Sequence, residues 1–128
     1  MFRPVLCAVA LCVAALPLRA DDLLPRLEAA QSAIDARMLT VMGADPAGAR
    51  WSPTRRAASA CALRELERVK GRAAAQTYVR AVENGAVEAA RLRRAPDFGG
   101  LAARIHSAAG LRLQQDIVPI TRACGIGL

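Results

Sequence analysis

Cysteine is the residue type in this sequence whose number and position bear most directly on chemistry. Four cysteines are present, and two of them, Cys7 and Cys12, lie in an apolar stretch at the N-terminus. If that stretch is removed on export, Cys61 and Cys124 remain as each other's only partners. Because no C-x-x-C motif is present to lower the pKa of a thiol, a structural disulfide is favoured over a redox pair or free thiols.

Histidine and the carboxylates give little indication of catalysis. His106 is the only histidine, and one imidazole without further nitrogen or sulfur ligands does not make a zinc site. Glu65 and Glu67 are two positions apart, so they lie on different faces of a helix. We therefore predict no catalytic residue, no metal and no cofactor. The enzymatic alternative is a site inside the helical domain, built from arginines and Glu67 or Gln76.

Arginine is the residue type that suggests a binding function, since every basic residue except Lys70 is an arginine and the formal net charge is +7. Guanidinium groups bind oxyanions through paired hydrogen bonds. The candidate positions for binding an anion or a partner are Arg50, Trp51, Arg55, Arg56, Arg80, Arg91 and Arg94, with Arg93 nearby. A GC-rich genome, which accumulates arginine and alanine codons together, explains the same composition without a binding site, and this explanation is favoured.

Trp51 is the only tryptophan and comes just before the Ser52-Pro53 pair that can begin a helix. A large apolar residue at this position often folds back onto the helix or its neighbour. Packing in the core or as a lid is therefore favoured, and an exposed anchor for a partner is the alternative.

The first 20 residues have the pattern of a secretory signal peptide. Arg3 supplies the positive charge, residues 5–16 form the apolar segment, and Ala20 ends a suitable cleavage region. No later stretch reaches the roughly 18 apolar residues that a membrane-spanning helix needs. We therefore predict a signal peptide over residues 1–20 and a single helical domain over residues 21–128, located in the bacterial periplasm or secreted.

The rest of the chain has the spacing of amphipathic helices and no stretch with the alternation of a strand. Apolar stripes are formed by Leu24, Leu27, Ile34, Met38 and Val41, by Ala62, Leu66, Val69, Ala73 and Thr77, and by Ala74, Tyr78, Val82 and Ala89. Gln31 is the one polar residue on the first stripe. The predicted helices span about 23–42, 53–70, 72–94 and 100–115, followed by a short helical turn that begins near Asp116 and carries Cys124.

These helices predict an all-α domain of four helices, as a bundle or in an orthogonal arrangement, held by one disulfide. Gly71 is expected either to break the central helix or to mark a close helix crossing. The function that we expect is a non-enzymatic, exported protein that binds or protects another protein, as a chaperone or adaptor does. The alternative is a binder of anionic lipid or polysaccharide that uses the arginines. Nucleic acid is not expected, because export removes the chain from it and aromatic residues are scarce.

Overall fold

The computed structural model describes residues 20–126 and 128, and within them the secondary structure is helical, with no strand. The five α-helices are Ala20–Val41 (α1), Pro53–Lys70 (α2), Arg72–Ala89 (α3), Leu101–Ala108 (α4) and Val118–Cys124 (α5). The all-α prediction is confirmed. The described residues form five α-helices rather than four, because the short turn predicted near the C-terminus is a helix in its own right. The predicted signal peptide lies outside the described residues, apart from Ala20.

The break at Gly71 is confirmed and follows from local backbone chemistry. Ser52 caps α2, its hydroxyl accepting the N–H of Arg55 at 3.1 Å, and Pro53 occupies the first helical position. Gly71 has a φ of +90°, which only glycine adopts without strain, and α3 begins at the next residue. The two central helices are therefore separate elements that pack against each other.

The two later helices are shorter than their apolar patterns predict. The helix α3 was predicted to reach Arg94 but ends at Ala89, and α4 was predicted to reach Gln115 but ends at Ala108. Gly110, with a φ of +68°, turns the chain immediately after α4. A turn of π-helix at Leu113–Ile117 then leads into α5.

Asp116 is buried within this π-helical turn, and its carboxylate anchors the turn. Its carboxylate accepts the main-chain N–H of Arg112 at 2.7 Å and lies 3.3 Å from the amino group of Lys70. These contacts, the main-chain hydrogen bond first, hold the pKa of the Asp116 carboxyl below its usual value. The ion pair connects the turn to the end of α2.

The core lies where α1 packs across α2 and α3, while α5 covers α2 and α4 covers α3. The largest fully buried side chains are Leu23, Leu27, Leu63, Leu66, Tyr78, Val79 and Val82. The predicted disulfide is confirmed: Cys61 in α2 is bonded to Cys124 at the end of α5, with 5.7 Å between their Cα atoms. None of the helices in the described part of the chain is long and apolar enough to cross a membrane.

The crossing of α3 and α4 depends on Gly85, which lies inside α3 despite the low helix propensity of glycine. A Cβ atom at this position would lie 2.5 Å from Cδ1 of Ile105. Glycine therefore allows α4 to approach α3 closely, and Ile105 fills the space that a side chain at position 85 would take.

Candidate functional site

A half-open cavity of about 230 Å³ lies between α1, α3, α4 and the 3-10 turn at Ala95–Phe98. Most of its lining is apolar, and the apolar residues are Ile34, Met38, Val82, Phe98, Leu101, Ala102, Ile105 and Leu128. A closed apolar cavity of roughly 150 Å³ is large enough to bind benzene. The cavity can therefore receive a group the size of an aromatic ring or a leucine side chain.

The cavity explains why one half of α1 is buried less than the other. Leu23 and Leu27, near the start of the helix, are fully buried, whereas Ile34 and Met38 of the same predicted stripe are only partly buried. Ile34 and Met38 both line the cavity. The apolar face of α1 thus continues past the filled core into a space that remains reachable from solvent.

One edge of the cavity, which we call the mouth, is formed by an ion pair between Arg55 of α2 and Asp35 of α1. The distance from Nη2 of Arg55 to Oδ2 of Asp35 is 2.9 Å, and the side chains remain 34% and 27% exposed. The guanidinium carbon also lies 4.9 Å from the centre of the Trp51 ring. Because Trp51 is buried, with 4% of its surface exposed, it supports Arg55 from below and fixes its position at the mouth.

Tyr78 contributes a polar group in the interior of the cavity. It is almost completely buried, and its hydroxyl oxygen accepts a hydrogen bond from Nε2 of Gln31 at 3.4 Å. Burial raises the pKa of the Tyr78 phenol well above its ordinary value, so the hydroxyl keeps its proton. The phenol is therefore a neutral hydrogen-bonding group that faces an apolar space.

His106 and Leu128 line the cavity on another side. The Nε2 atom of His106 lies 2.6 Å from the main-chain oxygen of Leu128. A carbonyl or carboxylate oxygen only accepts, so this ring nitrogen is the donor. The Leu128 side chain is partly buried and packs against the core.

The structure places the predicted site residues in three different situations. Arg55 lines the cavity, and Trp51 lies beneath Arg55 in the core. Arg56 and Arg94 are exposed but already paired, with Glu28 at 2.8 Å and with Asp97 at 3.2 Å. Arg50, Arg80 and Arg91 are exposed, and in the described part of the chain none of them forms a direct ion pair. Arg80 still interacts through its charge with Glu83, which is itself paired with Arg26. Burial leaves Trp51 little surface for contact with a partner.

Several lining residues were not predicted as site residues, namely Gln31, Asp35, Tyr78, Phe98 and His106. One signal was present in the sequence, because Gln31 interrupts an otherwise apolar stripe of α1. Glu67 and Gln76, the residues considered for an enzymatic site, do not line the cavity. Within the described residues, no group of histidine, cysteine, aspartate and glutamate side chains is arranged to hold a metal ion.

Comparison of the chain with models of protein families, with curated proteins and with solved structures finds no match. The interpretation of the cavity therefore rests on the residues of this chain and on their geometry.

Proposed function

We propose that this chain is an exported, non-enzymatic protein that binds or protects another protein by receiving one of its apolar side chains in the cavity. The observation that carries the proposal is the cavity itself, which continues the apolar face of α1 outward through Ile34 and Met38. Binding interfaces are commonly centred on one large apolar side chain that enters a pocket on the partner. A volume of about 230 Å³ suits one such side chain.

The polar groups of the cavity favour binding over catalysis. Asp35 is held in an ion pair by Arg55, and Nε2 of His106 is engaged with the main-chain oxygen of Leu128. Burial keeps the Tyr78 phenol protonated by raising its pKa. A general base or a nucleophile needs a group that can accept a proton or attack near neutral pH. The disulfide also supports export, since such bonds persist mainly outside the reducing cytoplasm.

Two exposed alanines on α4 provide a matched test of this proposal. Ala102 lines the cavity, whereas the next residue, Ala103, does not. A photoreactive p-benzoylphenylalanine at position 102, in cells that export the protein, should cross-link to a partner protein, and the same residue at position 103 should not. The captured partner, once purified, should then bind the variant Ala103→Trp but not Ala102→Trp, in which the indole obstructs the cavity.

Both positions hold an exposed alanine of α4, so nonspecific adhesion to this helix would give equal cross-linking at both. Equal cross-linking, or equal binding of the partner by the two tryptophan variants, would contradict the proposal. Circular dichroism of both variants controls for loss of helical structure.

The second candidate function is binding to an anionic surface through arginines. The observation that favours it is that Arg50, Arg80 and Arg91 are exposed and form no ion pair within the described part of the chain. Such guanidinium groups are available to phosphate or carboxylate groups of a lipid or polysaccharide.

A further inference from the structure

We infer that the Arg55–Asp35 pair at the mouth binds the main-chain peptide group of the residue whose apolar side chain enters the cavity. The inference rests on the proposed function and deepens it, because it names the chemistry of the partner. The occupant is a segment of polypeptide, which is recognised by the side chain and by the N–H and C=O groups next to it.

The mouth brings a hydrogen-bond donor group, the guanidinium of Arg55, next to an acceptor group, the carboxylate of Asp35. A guanidinium has five N–H donors in a planar fork, and a carboxylate has several lone pairs. The ion pair joins Nη2 of Arg55 to Oδ2 of Asp35 at 2.9 Å, and both side chains remain about one-third exposed. N–H donors therefore remain free on Arg55, and lone pairs remain free on Asp35. Both are within reach of a group at the mouth.

The mouth carries almost no net charge. One positive and one negative group 2.9 Å apart nearly cancel at a distance, so the mouth does not select a ligand by net charge. A peptide unit has no net charge but carries an N–H donor and a C=O acceptor. It matches the pair in both respects: Arg55 donates to the carbonyl oxygen and Asp35 accepts the N–H.

His106 and Leu128 show a similar combination of side-chain burial and main-chain hydrogen bonding within the chain itself. The side chain of Leu128 is partly buried against the core, and its main-chain oxygen lies 2.6 Å from Nε2 of His106. Both residues line the cavity. The wall of the cavity thus already holds an apolar residue by its side chain together with a main-chain oxygen.

Arg55 is held in a fixed position before any ligand binds. The guanidinium is held from one side by Asp35 and from below by the buried ring of Trp51, at 4.9 Å. An arginine ordered in advance loses less side-chain entropy when it forms a further hydrogen bond. Recognition at a fixed pair beside the cavity has a handedness, because the two enantiomers cannot place the side chain, the N–H and the C=O in the same three positions.

The experiment uses N-acetyl-L-phenylalanine amide and its D enantiomer as probes, with the exported chain in its oxidised form. Both have a benzyl group for the cavity and two peptide-like groups, and they differ only in handedness. Isothermal titration calorimetry should give a dissociation constant of about 1 mM for the L form, which is typical of a ligand of this size. The D form should bind about tenfold more weakly.

The variants Arg55→Gln and Arg56→Gln form a matched pair for the second arm. Both arginines form ion pairs and are adjacent in α2, but only Arg55 lines the cavity. Arg55→Gln should bind the two enantiomers equally, at the level of the D form in the wild type. Arg56→Gln should retain the preference for the L form.

Equal binding of the enantiomers by the wild type would overturn the inference and leave the cavity as a site for an apolar side chain. Retention of the preference in Arg55→Gln would overturn it as well. Failure of both probes to bind would also overturn it, and cross-linking at Ala102 then decides the proposed function separately. The comparison of enantiomers needs only the wild type, so it remains decisive if a variant does not fold.

Discussion

Tyr78 is the residue at which burial has its largest effect on an ionisable group. The side chain is 1% exposed, and burial raises the pKa of its phenol far above the ordinary value of 10.0. We therefore expect a titration of tyrosinate absorbance to show no ionisation near pH 10 while the protein is folded. The sequence contains one tyrosine, so the signal belongs to this residue alone.

The raised pKa also fixes the sign of the stability change. The unfolded chain loses the phenol proton near pH 10, whereas the folded protein keeps it. The free energy of unfolding should therefore fall as the pH rises above about 10, by the linkage between proton binding and folding. The same titration in concentrated guanidinium chloride is the control and should show ionisation near pH 10. A midpoint near pH 10 in the folded protein would contradict the burial of Tyr78.

At the scale of the elements, the disulfide determines how firmly α5 is attached. The helix has seven residues, and its main contacts are with α2 and with the π-helical turn that precedes it. The bridge closes a loop with a sequence separation of 63. Replacing both cysteines, as Cys61→Ser with Cys124→Ser, should lower the free energy of unfolding by about 4 kcal/mol, because the unfolded chain regains entropy. Urea denaturation measures this loss.

Reduction of the wild-type protein gives an independent control, because it opens the same loop without changing a residue. It should produce the same loss within about 1 kcal/mol, and hydrogen exchange in α5 should rise more than exchange in α2. A much smaller loss in both experiments would show that burial of Ile117 and Ile120 is sufficient to hold α5.

The glycines show which part of the fold was predictable from local sequence. Gly71 and Gly110 both have positive φ and end helices, as the low helix propensity of glycine indicates. Gly85 has the same chemistry but remains inside α3, because Ile105 of α4 packs where its side chain would be. The difference is a tertiary contact, so no local pattern distinguishes these positions.

The apolar stripes and the site were predictable to different degrees for the same reason. Tyr78, Val82 and Ala89 are buried as their stripe predicts, but Val69, which lies on another predicted stripe, is 56% exposed. Of the cavity, the sequence indicated Ile34 and Met38 as apolar positions. It did not indicate the cavity, because the lining comes from four helices and a turn that meet only in the folded chain.

At the scale of the whole molecule, ion pairs divide the arginines into two groups. Arg56 and Arg94 each have a carboxylate partner, which must be shared or released before the guanidinium binds another anion. Arg80 and Arg91 are exposed and form no direct ion pair within the described residues, although the charge of Arg80 helps to hold the pKa of the Glu83 carboxyl below its ordinary value. The positive charge of the chain is therefore more available at some arginines than at others, although the formal charge of each is the same.

Two double variants with equal changes in charge test whether this division matters for binding to anionic surfaces. If the arginines form a binding site, Arg80→Gln with Arg91→Gln should weaken binding to vesicles containing phosphatidylglycerol by about tenfold in low salt. Arg56→Gln with Arg94→Gln should weaken it less than threefold, since these arginines are already paired. Co-sedimentation with vesicles at several salt concentrations measures both, and binding should weaken as salt screens the charges.

The comparison separates a specific site from a general charge effect. Attraction by net charge alone depends on the number of charges removed, so it predicts the same loss for both double variants. An equal loss would contradict a binding site at Arg80 and Arg91, and binding that is insensitive to salt would contradict an electrostatic mechanism. A selective loss in the first variant would place the anionic partner on the surface formed by Arg80 of α3 and by Arg91, which follows the end of that helix. The cavity variant Ala102→Trp should then leave vesicle binding unchanged. It removes no charge, and the charge of Arg55 at the mouth is already balanced by Asp35.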